Sequence, residues 1–125
     1  MGIVIRFSSN NNTLTSNTAL SNSNAGIYIF YSSNNTPNNS ISNNNKYGLY
    51  ISNSNGTIVT NLTAKNNSLY GIFLESGSSN NIIKNSFIQL NNGSAFSFNN
   101  TGTALSNNYF YNNYFNNSLQ YSNIS

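Results

Sequence analysis

Gly26-Ile27-Tyr28-Ile29, Gly48-Leu49-Tyr50-Ile51 and Gly71-Ile72-Phe73-Leu74 are three copies of one four-residue phrase. Gly2-Ile3-Val4-Ile5 precedes them and Ala95-Phe96-Ser97-Phe98 follows, so the copies start 24, 22, 23 and 24 residues apart. A weaker sixth copy is expected at Ser118-Leu119-Gln120-Tyr121. A fixed period of this length is the mark of a repeat architecture. Inside each copy the apolar positions alternate with period two, as in a short strand with one dry face. Ile3, Ile5, Ile27, Ile29, Leu49, Ile51, Ile72, Leu74, Phe96 and Phe98 are apolar in every copy and are expected to form the inward core. Val4, Tyr28, Tyr50, Phe73 and Ser97 lie between them and are mixed in character, as an outward row should be.

Two further apolar positions recur in each period. One is read at Leu14, Pro37, Ile58, Ile82 and Leu105, the other at Ala19 or Leu20, Ile41, Ala64, Ile88 and Tyr111. Three inward segments per repeat, divided by Asn/Ser/Gly corners, describe a three-sided coil. The expected fold is therefore all-β: a parallel β-helix, or solenoid, of about five coils of 22–24 residues with three short strands per coil, forming one domain over residues 1–125. One coil cannot bury its own inward side chains, but coils above and below it can. Like then sits on like at about 4.8 Å, and each fully buried Ile or Leu contributes roughly 1.5–3 kcal/mol.

About a quarter of the residues are Asn, whereas only 4% are charged. Asn tolerates the left-handed backbone of tight corners. Its amide has both a donor and an acceptor, so stacked Asn can bond along the axis. Asn17, Asn39, Asn61, Asn85 and Asn108 recur almost in phase and are expected to form an internal amide ladder. Asn/Ser-rich sequence is often disordered, but a random polar tract does not keep apolar pairs in phase through five copies. A leucine-rich repeat is disfavoured, because no segment reads as a helix. Pro37 removes a ladder donor, so the second coil should be irregular there.

The stretch Gly26-Ile27-Tyr28-Ile29-Phe30-Tyr31-Ser32-Ser33-Asn34-Asn35-Thr36, with Ile41-Ser42-Asn43-Asn44 and a new Gly-Leu-Tyr-Ile, resembles the NosD-type right-handed parallel β-helix repeats of archaeal surface proteins. That family has the pectin-lyase-like fold, shared with carbohydrate-binding and sugar-cleaving proteins. The resemblance covers essentially the whole chain and implies a fold more than a function. It also implies an extracellular or cell-surface location, with no signal peptide in this segment. A uniform repeat with no polar cap at either end suggests a piece of a longer array, or self-association through open coil ends.

The missing residue types argue against catalysis. Glu75 is the only carboxylate, and the chain holds no His, no Cys and a single Met. Glycoside hydrolysis by paired carboxylates has no second partner, a calcium-dependent lyase site has no Asp, and a triad has no imidazole. The copper label attached to some NosD-type proteins lacks soft or imidazole ligands here. No enzyme activity, cofactor or metal is expected. The net charge of +3 comes from scattered cations, Arg6, Lys46, Lys65 and Lys84, so no nucleic-acid footprint is expected either. No run reaches the length of a membrane-inserting segment.

Two binding features remain. Tyr28, Tyr50 and Phe73 are the candidate platform for a polysaccharide or glycan, although an aromatic ladder also stabilises a sheet by itself. Asn-x-Ser/Thr sequons start at Asn11, Asn34, Asn38, Asn55, Asn61, Asn66, Asn92, Asn99, Asn116 and Asn123. Those at corners could carry glycans on an exported chain, but an internal Asn61 could not. Glu75 is expected to be a solvated edge charge, and the lysines to blunt strand edges. The expected function is a non-enzymatic structural and interaction module, with carbohydrate binding as the alternative. Ice binding would need a regular outward Thr array, which Thr13/Thr15 and Thr57/Thr60 do not extend.

Overall fold

Corners set the architecture. In the computed structural model, which describes residues 1–101 and 105–124, the chain turns left-handed (φ of 47° to 77°) between strand after strand. Most of these positions are Asn: Asn11, Asn34, Asn80 and Asn107 in one row, Asn39, Asn61, Asn85 and Asn112 in a second, Asn44 and Asn66 in a third. A short polar side chain pays less than a bulky one for this backbone, which accounts for much of the Asn content.

The first coil supplies β1 (Ile3–Arg6), β2 (Thr13–Thr15) and β3 (Thr18–Leu20). The second supplies β4 (Ala25–Phe30), β5 (Thr36–Asn38) and β6 (Ile41–Asn43), the third β7 (Tyr47–Ser52), β8 (Ile58–Thr60) and β9 (Thr63–Lys65). The fourth has β10 (Tyr70–Glu75), β11 (Ile82–Lys84) and β12 (Phe87–Gln89). The fifth has β13 (Ser94–Asn99), β14 (Tyr109–Tyr111) and β15 (Tyr114–Asn116), and β16 (Leu119–Ile124) opens a sixth. Corresponding strands pair in parallel, giving a six-stranded first sheet (β1-β4-β7-β10-β13-β16) and two five-stranded ones (β2-β5-β8-β11-β14 and β3-β6-β9-β12-β15). Register partners are one coil apart: Ile3 on Ile27, Ile27 on Leu49, Leu49 on Ile72 and Ile72 on Phe96.

The core runs along the axis. Ile27, Ile29, Leu49, Ile51, Ile72 and Leu74 are fully buried, Ile5 and Phe96 nearly so, and Ile3 and Phe98 are partly covered and pack against the same cluster. In the fifth coil the filling changes from aliphatic to aromatic. Phe96 meets Phe110 and Phe115 edge-on, with centroids 4.3 and 4.9 Å apart, and Phe98 meets Phe110 at 5.6 Å. Edge-to-face geometry suits the ring quadrupole.

Several sequence expectations need correction. The inward row of the second sheet is Leu14, Pro37, Val59, Ile83 and Phe110, so Ile58 and Ile82 face outward and Leu105 lies before the strand. The third sheet turns Ala19, Ser42, Ala64, Ile88 and Phe115 inward; Ile41 is exposed and Tyr111 belongs to the second sheet. A three-residue strand buries only its middle residue, and adjacent apolar pairs such as Ile58-Val59 hide which one that is. The sixth copy is also offset: Tyr121, not Leu119, lies over Phe96. Pro37 sits in register with Leu14, but toward β8 only Asn38↔Thr60 remains paired, as a missing N–H requires.

The expected amide ladder is not internal. Asn39, Asn61 and Asn85 are exposed at the corner between the second and third sheets, and Asn61 Nδ2 donates to Asn39 Oδ1 across 2.8 Å on the outside. A left-handed corner residue there turns its side chain away from the core. Asn17 and Asn108 belong to neighbouring rows. The internal ladder is Asn22–Asn45–Asn67–Asn91–Asn117. Each main-chain N–H donates to the next Oδ1 at 2.8 to 2.9 Å. Asn45, Asn67, Asn91 and Asn117 turn Nδ2 to the carbonyls of Ala19, Ser42, Ala64 and Ile88. The glycine row of the repeat packs against this ladder and the third sheet. A Cβ on Gly26 would run into Ser42 Oγ and Asn45 Nδ2, and one on Gly71 into Ile88 Cγ2 and Asn91 Nδ2.

A second row runs through Asn12, Asn35, Thr57, Asn81 and Asn108. Asn81 N–H donates to Asn108 Oδ1 at 3.0 Å, and Thr57 N–H to Asn81 Oδ1 at 2.8 Å. Thr57 interrupts it, leaving Asn35 Nδ2 and Thr57 Oγ1 buried without partners.

Candidate functional site

The first sheet has the longest strands and the richest outer face. Alternation sends two rows outward, and a third lies just before the repeat glycine, where the alternation breaks. The middle row, Val4, Tyr28, Tyr50, Phe73 and Ser97, is in register throughout. Tyr47 and Tyr70, register partners on neighbouring coils, flank it on one side. Arg6, Phe30 and Ser52 form the other flank, continued by the paired Glu75 and Asn99.

Rings on neighbouring coils touch. Tyr28 and Tyr50 have centroids 4.7 Å apart, Tyr50 and Phe73 4.9 Å, and Tyr47 stacks on Phe73 at 5.2 Å and 13°. Tyr28 also stacks on Phe30 at 5.5 Å. Of the three expected platform residues, Tyr28 and Tyr50 stay half-exposed. Phe73 is only 6% exposed, covered by its tyrosine neighbours, so it supports the face rather than presenting a ring. Tyr47, Tyr70 and Phe30 were not anticipated. The signal was available: Tyr47 and Tyr70 each precede the glycine of their repeat, and thus fall in one row.

Glu75 is not a free edge charge. Its Oε2 accepts from the Tyr50 hydroxyl and from Ser52 Oγ, both at 2.7 Å. Burial pushes the Tyr50 phenol pKa well up, and the hydrogen bond and charge of Glu75 push it further. Tyr28 is raised in the same way, by burial first and by Glu75 second. Both phenols remain protonated donors through the ordinary pH range. Arg6 lies 5.4 Å over the Phe7 ring and Lys46 5.3 Å over Tyr47, so these cations sit on aromatic faces rather than on Glu75. Among the described residues no group of three His, Cys, Asp or Glu side chains could hold a metal, and no helix is long and apolar enough to cross a membrane.

Across residues 1–124 the sequence matches the family described as right-handed beta helix region. The chain belongs to that family. Solved β-helices superpose on it closely. The A-module of the Azotobacter vinelandii mannuronan C-5 epimerase AlgE4 gives a TM-score of 0.83 at 15% identity, over 99% of this chain and 39% of that one. A double mutant of the periplasmic alginate epimerase AlgG gives 0.80 at 19% identity, over 90% of this chain and 30% of that one. At such identities the likeness is one of fold, and the chain spans well under half the length of either epimerase chain. No curated protein matches the sequence.

Proposed function

We propose that this right-handed β-helix is a non-enzymatic structural and interaction module, of the NosD repeat type, carried by a cell-surface or secreted protein. What supports this is the character of its outer faces. Ile41, Ile58, Phe87, Tyr109, Tyr111 and Tyr114 stand exposed on the second and third sheets, while the first sheet is paved with rings. Phe87 and Tyr114 meet across neighbouring coils with centroids 6.0 Å apart, and exposed apolar patches mark contact sites. The chemistry near the rings favours binding over turnover: Glu75 is the only side-chain carboxylate, with no second acid beside it, and Tyr50 is held protonated. Sedimentation velocity tests the reading. Association should grow with concentration and weaken in a Phe87→Ser/Tyr114→Ser variant. A strict monomer at all concentrations, or product release from any polysaccharide, would contradict it.

Tyr28 and Tyr50 support a second reading, a carbohydrate-binding module. Partly exposed rings on successive coils, about 4.8 Å apart, offer flat faces for sugar stacking, and the Tyr28 hydroxyl a donor for sugar oxygens. The superposable proteins are named as epimerases of alginate and mannuronan, which supports a glycan partner on this fold. Glycan-array binding that disappears in a Tyr28→Ala/Tyr50→Ala variant is the expected result; unchanged binding would remove the platform.

A further inference from the structure

The charge on the first sheet narrows the ligand class. Glu75 stands on the margin of the ring-paved face, partly exposed, and carries the only negative side-chain charge of the chain. Its polar partners are neutral hydroxyls, and both converge on Oε2. Arg6 shares its outer row but lies three coils away, about 14 Å at the strand spacing, beyond the roughly 8 Å screening length of physiological salt. Lys46 sits at the opposite end of the strands, over Tyr47. Among the described residues, neither Arg6 nor Lys46 thus neutralises the carboxylate.

The surroundings reinforce the sign. The faces of Tyr28, Tyr50 and Phe30 are electron-rich and attract cations. Asn99, the register partner of Glu75 on the next coil, brings no charge of its own. A uronate brought here would set carboxylate against carboxylate. An ammonium group would find a charge partner in Glu75 and ring faces beside it.

We infer that the Tyr28–Tyr50–Glu75 face binds an amine-bearing polysaccharide, a chain of 2-amino-2-deoxy sugars, with the ammonium on Glu75 and sugar rings on Tyr28 and Tyr50. This rests on the carbohydrate-binding reading of the same face. A face that spans the second to the fourth coil suits a polymer laid across them, rather than a single small cation.

Calorimetric titration of the whole chain separates the ideas. Short oligomers of glucosamine, of N-acetylglucosamine and of uronate are compared at mildly acidic pH, where the sugar amine is protonated. The glucosamine oligomer should bind at least about tenfold more tightly than the other two. Glu75→Gln keeps an acceptor for Tyr50 and Ser52 but removes the charge. It should erase that preference and leave the acetylated oligomer unaffected. Equal or tighter binding of the acetylated or uronate oligomer would overturn the amine assignment while leaving the aromatic platform standing. Binding of none of the three would overturn both. A lysine oligomer binding as tightly as the glucosamine oligomer would show a general cation patch, and would overturn the sugar assignment.

Discussion

The Tyr50 hydroxyl donates to Glu75 Oε2 at 2.7 Å from one coil to the next, so a phenol and the sole carboxylate of the chain share a proton-bearing contact on the outer face. The consequence appears in alkali. A phenol whose folded pKa is raised contributes stability fully present below its unfolded value of about 10, and that contribution is lost as pH rises toward the folded value. Melting temperature should be flat up to about pH 9 and fall above about 10. In spectrophotometric titration Tyr50 and Tyr28 should ionise above the ordinary phenol value of about 10, and Glu75→Gln should bring Tyr50 forward.

Asn61 starts one sequon and Asn67 lies within another, yet they stand on opposite sides of the wall, Asn61 exposed and Asn67 buried. Asn67 Oδ1 accepts from Asn45 N–H at 2.9 Å, and its Nδ2 donates to Ser42 O and Asn91 Oδ1 at 3.2 and 2.8 Å. Asn67→Ala removes these and strands buried partners, costing about 2–4 kcal/mol in urea denaturation. Asn61→Gly keeps the left-handed corner and loses one exposed bond, so its effect should stay within about 0.5 kcal/mol. Asn61, being exposed, is also open to glycosylation on an exported chain, contrary to its expected internal place.

Thr57→Asn should stabilise. It completes the interrupted row by offering Oδ1 to the buried, unpaired Asn35 Nδ2, as Asn108 does for Asn81 at 3.0 Å. A gain of about 1 kcal/mol in chemical denaturation is expected.

Leu90 holds a left-handed φ of 51° with its side chain 53% exposed, at a corner position where Asn44 and Asn66 stand in earlier coils. Leu90→Asn should raise stability by about 0.5–1 kcal/mol, read as a higher melting temperature.

The parts of this fold most legible in sequence are those whose period is redundant. Ile27, Leu49 and Ile72 sit in six-residue strands where two inward residues repeat in five copies, so the register is over-determined. The three-residue strands are not. Val59 and Ile83 cannot be told from Ile58 and Ile82 by pattern, because a single inward residue beside another aliphatic leaves no alternation to count. The amide ladders were harder still. Asn39 and Asn45 are the same residue type at nearly the same spacing, and only the backbone sign of φ separates an outward corner from an inward rung. Glu75 looked isolated because its partners, Tyr50 and Ser52, lie 25 and 23 residues away; they meet only once the coils are stacked.

The register of coil on coil is tested most directly by disulfide trapping, since the chain has no native Cys. Thr13 and Thr36 are register partners on the outer face of the second sheet, and Ile58 lies one coil further along. Paired parallel strands set Cα atoms about 4.8 Å apart, within disulfide reach, whereas two coils span about 9.6 Å and exceed it. Oxidised Thr13→Cys/Thr36→Cys should form an intramolecular disulfide in nearly all molecules, and Thr13→Cys/Ile58→Cys should form almost none. Equal trapping of the two pairs, or failure of the first, would contradict the stacked β-helix.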